Sequence, residues 1–168
     1  SSPSSKPRVP EHRLGLKEVL DDLVADGLVA KADADLTLAG PKTERSELHP
    51  LVVVANKKFH HLRPPHQVLS LELLTEWLAG RAGLPYLRID PLKLDIAAVE
   101  RLLPFISFEY AARYQILPVA ADDARVVFAT TEPWLTDWQN VLRQTLRRDI
   151  ERVIANPLDV NRYQLEFY

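Results

Sequence analysis

The sequence contains no cysteine and no methionine in 168 residues. Without cysteine there can be no disulfide, no thiolate metal ligand and no cysteine nucleophile, and this usage fits a reducing compartment. Without methionine, even at position 1, the chain reads as a fragment of a longer protein, with Tyr168 as a second boundary. No apolar run is long enough to span a bilayer, and no secretory signal is present. The formal net charge is -2 and no long basic run occurs, so there is no electrostatic case for nucleic acid. Neither phosphate-cradling pattern, G-x-x-x-x-G-K-S/T or G-x-G-x-x-G, is found, and there is no G-x-S-x-G elbow. The paired acids Asp21-Asp22 and Asp122-Asp123 lie in solvated or turn contexts. Nothing in the sequence suggests a buried carboxylate with a tuned pKa, and the chain is not expected to be an enzyme.

What is present is 46% hydrophobic, enough for one modest core or two small ones. Two nearly continuous apolar runs, Ile116–Ala120 and Val126–Ala129, flank the acidic break Asp122-Asp123. They predict a β-hairpin covered on both faces. After it, Thr136-Asp137-Trp138-Gln139 has the form of a capping box for a helix over Asp137–Arg147. Arg143, Arg147 and Arg148 near that helix's end complement its dipole. Ile150–Ala155 predicts a third strand, parallel to the second through a right-handed crossover. Asn156-Pro157 then opens a last helix to about Leu165.

Upstream, Ser1–Pro10 is polar, rich in Pro and Ser, and expected to be disordered or peripheral. His12–Ala34 reads as helical, with Gly27 as a stop signal. Leu36–Glu47 reads as a loop. Pro50 can start a helix through Lys58, although Leu51-Val52-Val53-Val54 would suit a strand equally well. Leu69–Leu84 is a clear helix capped by Ser70, with Leu73, Leu74, Trp77 and Leu78 on one face. Leu84–Pro91 is an extended connector between Pro85 and Pro91. Asp95 and Ser107 cap two short helices, the first ending at Pro104 and the second at Tyr114.

The expected architecture is therefore α/β: a helical amino-terminal part, then a small three-stranded sheet flanked by helices. The expected division is a tail over 1–11, a helical subdomain over 12–83 and a small α/β subdomain over 84–168. His60, His61 and His66 invite a metal reading. Adjacent histidines point apart, however, and no convergent carboxylate stands near, so a solvated loop is expected. Leu16, Val19, Leu20, Leu23, Val24 and Leu28 form a wide apolar stripe. Such a stripe needs a partner, inside the chain or outside it. It is the expected docking face.

The second half carries Gly83-Leu84-Pro85-Tyr86, Ile89-Asp90-Pro91, Ile116-Leu117-Pro118-Val119, Val126-Val127-Phe128-Ala129-Thr130, Glu132-Pro133 and Val153-Ile154-Ala155-Asn156. In this order it resembles the amino-terminal domain of the type II secretion ATPases and their relatives in type IV pilus assembly. The resemblance implies a domain without catalytic residues or cofactor, in a parent whose nucleotide-hydrolysing core lies further along. It implies docking onto the cytoplasmic domain of an inner-membrane platform protein, in the cytoplasm and peripheral to the membrane. It also implies a hexameric parent and a monomeric fragment. Some relatives bind cyclic di-GMP through R-L-G-x-x-L-V-x-x-G-L-I. Leu23–Val29 matches the second half of that motif, including Gly27. Arg13, Leu14 and Gly15 match its first half five residues early, and the glutamine that follows in the motif is absent. A cyclic di-GMP receptor is the alternative reading.

Overall fold

The computed structural model describes residues 9–41 and 48–168. The first eight residues of the expected tail, and residues 42–47 of the expected loop over Leu36–Glu47, lie outside them. Among the described residues the fold has eight α-helices and a three-stranded mixed sheet, with the helical part first.

The helical part comprises α1 (Leu16–Ala25), α2 (Lys31–Leu38), α3 (Pro50–Asn56) and α4 (Leu71–Ala82). The segment His12–Ala34 is not one helix. Gly27 takes φ +79, and its N–H donates to Val24 O at 3.1 Å while Leu28 N–H donates to Leu23 O at 2.9 Å. These two bonds satisfy the last carbonyls of α1 and stop it. The chain restarts as α2 at Lys31 and runs to Leu38, past the start of the expected loop at Leu36. At α3, helix prevails over strand. Pro50 occupies the first turn, and the His49 ring accepts Leu51 N–H at 3.1 Å. Ser70 caps α4 through Leu73 N–H at 3.2 Å, and Gly83 ends it at φ +68.

The second part runs α5 (Ile96–Glu100), a 3₁₀ turn (Leu103–Phe105), α6 (Phe108–Tyr114), β1 (Ile116–Ala121), β2 (Arg125–Thr130), α7 (Trp138–Leu146), β3 (Asp149–Ile154) and α8 (Pro157–Phe167). Sheet order is β1-β2-β3, antiparallel then parallel, with Leu117 opposite Ala129 and Phe128 opposite Arg152. A bulge falls between Pro118 and Ala120, where the proline cannot donate to the ladder. The connector runs beside β3: Ile154 N–H donates to Pro85 O at 2.8 Å, and Leu87 N–H donates to Ile154 O at 2.9 Å.

Three apolar clusters form the interior. One face of the sheet packs Ile116, Val126 and Phe128 on Trp138 and Leu142 of α7. The other packs Leu117, Val119 and Ala129 on Val160 and Tyr163 of α8. Burial on both faces is why the hairpin runs are continuous rather than alternating. The third cluster joins Leu20, Leu23, Leu51 and Leu74 of the helical part to Ile154 of β3, with Trp134 packed against it.

The stripe on α1 is absorbed here. Val19, Leu20 and Leu23 are at most 1% exposed, Leu28 is buried, and Leu16 and Val24 pack on the same cluster. Its partner lies inside the chain, so in this conformation it is a packing face rather than an available docking face. Trp77 packs there too, and its indole N–H donates to Asp26 at 2.8 Å.

Candidate functional site

The segment Glu11–Gly15 is an extended strap laid across the turn that follows β2. Its anchors explain a second departure from expectation. Asp137, not Thr136, precedes the first turn of α7, and its side chain makes no cap. The cap is Glu11, 125 positions away, whose carboxylate accepts Thr136 N–H at 2.7 Å, Asp137 N–H at 3.2 Å and the Thr136 hydroxyl at 2.8 Å. Burial alone would raise the Glu11 pKa. The donors from Asp137 and Thr136, with the charge of Arg152, outweigh it and hold the carboxyl below its ordinary range. Position 11, assigned to a tail, is thus tied to the sheet half.

The strap continues with His12, whose backbone N–H donates to Trp134 O at 3.3 Å. Its ring stacks on Trp134 at 6.5 Å and pairs with Glu18 at 2.8 Å. The Pro10 carbonyl and Glu18 raise its pKa. Arg13 donates to the Arg113 carbonyl. Leu14 N–H donates to Glu132 Oε2 at 2.8 Å. On the far side of Glu132 stands His49. Its Nε2–H donates to Thr131 O at 2.9 Å and lies 3.6 Å from Glu132 Oε1. Both side chains are more than nine-tenths buried. Burial raises Glu132 to about 7 against the Leu14 N–H and the charge of Arg13. Burial likewise lowers His49 to about 4, against the Thr131 carbonyl that accepts its proton.

Above this pair opens a cavity of about 310 Å³, lined by Arg13, Leu14, Gly15, Leu16, His49, Gln115, Glu132 and Asn161 among others. The structure therefore brings Arg13, Leu14 and Gly15 together. It leaves Gly27 at the opposite end of α1, whose 10 residues place it roughly 15 Å away. There a Cβ on Gly27 would meet the Arg63 guanidinium at 3.2 Å. Glu132, His49, Gln115 and Asn161 were not singled out as site residues in the sequence. Glu132-Pro133 enters the sequence reading only among the residues that carry the family resemblance, and His49 does not enter it. The three loop histidines serve their own loop: His60 and His66 rings bond His66 O and His61 O at 2.9 Å each, and the His61 ring accepts Arg63 N–H at 2.9 Å.

The paired connector, the mixed sheet and the Glu132-Pro133 turn all lie within a stretch matched by the MshEN domain family, residues 82–168. The chain belongs to that family. The chain is 34% identical over 154 residues to the type IV pilus assembly ATPase TfpB of Acinetobacter baylyi. That match takes in 89% of this chain and 25% of TfpB, so the chain spans about a quarter of that relative's length. Among solved structures, MshE with cdg (cyclic di-GMP) superposes with a TM-score of 0.55 at 21% identity, covering 93% of this chain and all of that one. The N-terminal domain of XpsE superposes at 0.54 with 14% identity, covering 94% and 99% of the two chains. At these identities the likeness is one of fold. No helix among the described residues is long and apolar enough to cross a membrane.

Proposed function

We propose that this MshEN domain is a non-catalytic docking module of a pilus-assembly or secretion ATPase. In this reading it seats the ATPase, in the cytoplasm, on the cytoplasmic part of an inner-membrane platform protein. The observation that carries the reading is the match to TfpB, an assembly ATPase, over a stretch with no phosphate-cradling loop. The chain then supplies attachment while another part of the parent hydrolyses nucleotide. Calorimetry with the purified cytoplasmic part of the platform protein tests it. Saturable binding to the folded domain is expected, and no heat of binding at high micromolar concentrations of both proteins overturns it. Steady-state ATP turnover by the pure domain, abolished by a substitution within it, overturns the non-catalytic part.

A second reading is favoured by one observation: Arg13, Leu14 and Gly15 converge on a single open cavity. In this reading the cavity takes cyclic di-GMP, with Arg13 meeting a phosphate or a base face. Titration with cyclic di-GMP separates the readings. Saturation that is weakened at least tenfold by Arg13→Ala supports the receptor, and no saturation removes it.

A further inference from the structure

Arg13, Leu14 and Gly15 line the cavity from a strap that has no helix or ladder of its own. Their placement therefore depends on what holds the strap's two ends. The downstream end is fixed twice. Leu14 is buried and bonded to Glu132, and Gly15 runs directly into α1, whose Val19, Leu20 and Leu23 sit in the core. The upstream end is fixed chiefly by Glu11, which accepts Thr136 N–H at 2.7 Å, Asp137 N–H at 3.2 Å and the Thr136 hydroxyl at 2.8 Å. The next tie, His12 N–H to Trp134 O, is long at 3.3 Å. Arg13 lies between these two anchored ends, and its guanidinium gives one bond, to the Arg113 carbonyl, which leaves donors of its fork for a ligand. Glu11 itself does not line the cavity. Resting on the receptor reading, we infer that Glu11 is a positioning residue for cyclic di-GMP: by capping α7 it fixes the upstream end of the strap and so presents Arg13 to the ligand.

The geometry of α7 explains why this anchor is strong. Asp137 precedes the helix but its side chain makes no cap, so the N–H groups of Thr136 and Asp137 are left to Glu11. A carboxylate on such donors makes charge-assisted bonds at the favourable end of the helix dipole. Without them residues 11–13 regain backbone freedom. Leu14 and Gly15 keep their own anchors, so the loss falls on Arg13. A ligand meeting a frayed strap must first restore Arg13 to its place, and the apparent affinity falls by the fraction of molecules in which it is already there. By reciprocity, a ligand that holds Arg13 steadies the Glu11 bonds.

The test is a double-mutant cycle read by titration of the 168-residue domain with cyclic di-GMP. Glu11→Ala is expected to weaken binding about fivefold. It is expected to add nothing to the loss caused by Arg13→Ala, because a residue that acts through Arg13 has nothing to act on once Arg13 is gone. Glu11→Gln, whose amide oxygen can still accept from Thr136 or Asp137, is expected to recover most of the affinity. A general loss of stability produces neither pattern. Amide exchange followed by NMR in the ligand-free domain reads the strap itself: in Glu11→Ala, protection at His12 N–H is expected to fall while that of the β2 amides holds. Wild-type affinity in a folded Glu11→Ala, a further loss on top of Arg13→Ala, or unchanged protection at His12 overturns the positioning role and leaves the receptor reading standing. No saturation of the wild type removes the receptor reading, and the positioning role with it. If Glu11→Ala does not fold, wild-type exchange at Thr136 N–H and Asp137 N–H decides. Slowing on saturation with cyclic di-GMP supports the role, and unchanged exchange overturns it.

Discussion

The Leu14 backbone N–H donates to Glu132 Oε2 at 2.8 Å across 118 positions of sequence. This bond and the Glu11 cap on α7 tie the start of the chain to the turn after β2. The helical part is thereby stapled to the sheet half by polar contacts as well as by the cluster around Ile154.

Stability should carry an unusual pH signature. Glu132 is raised from 4.5 to about 7, so the folded state holds an extra proton in that window and stability falls as pH rises through it. His49 is lowered from 6.5 to about 4, so the unfolded state holds the extra proton and stability rises with pH over that window. The two effects oppose each other wherever the windows overlap. His12, raised, adds a loss above its ordinary 6.5. Glu132→Gln should therefore be more stable than wild type above about pH 7, by on the order of 2 kcal/mol, and nearly equal to it below about pH 4.5. Urea unfolding at fixed pH values checks this; a variant less stable at every pH rejects it.

Leu20→Asp and Leu23→Asp place a carboxylate in the helical cluster, where both native side chains are fully buried. Each should cost about 3 kcal/mol or more and unfold the helical part. Circular dichroism with a platform-protein pull-down on the same variants is the check. Variants that stay folded yet lose the partner would return the stripe to the docking role.

Gly27→Ala should destabilise by about 1 kcal/mol, because φ is +79 and the new Cβ presses on Arg63. Its effect on any ligand at the Arg13 cavity should be negligible, since α1 separates the two. Thermal unfolding beside a cyclic di-GMP titration of the same variant distinguishes scaffold from site. A large affinity loss without a stability loss contradicts the assignment.

A chain beginning at Gly83 should fold alone, because the clusters on the two faces of the sheet close without the helical part. It forfeits the bonds that Tyr86 and Asn156 donate to the Glu72 carboxylate and the cover over Ile154, so it should unfold at lower urea than the whole domain. Absence of a cooperative transition rejects this.

The elements of the second half were legible in the sequence because their signals are local. Asp122-Asp123 breaks two apolar runs, Ser107 and Asn156 cap their own helices, and continuous apolar runs report burial on both faces without naming what covers them. The split at Gly27 was half legible: the stop signal was there, but apolar periodicity ran past it, and only the left-handed backbone made it a break. The site was not legible. Glu132 reads as a surface acid beside a proline, His49 as a residue before a helix, and Glu11 as part of a tail. Their roles arise from contacts 82, 118 and 125 positions apart, which no periodicity encodes: His49 donates to Thr131 beside Glu132, and Glu132 and Glu11 hold the strap. The destination of the stripe on α1 was likewise left to the tertiary structure. A helical apolar face states only that it must be covered, and packing on α3, α4 and Ile154 decided by what.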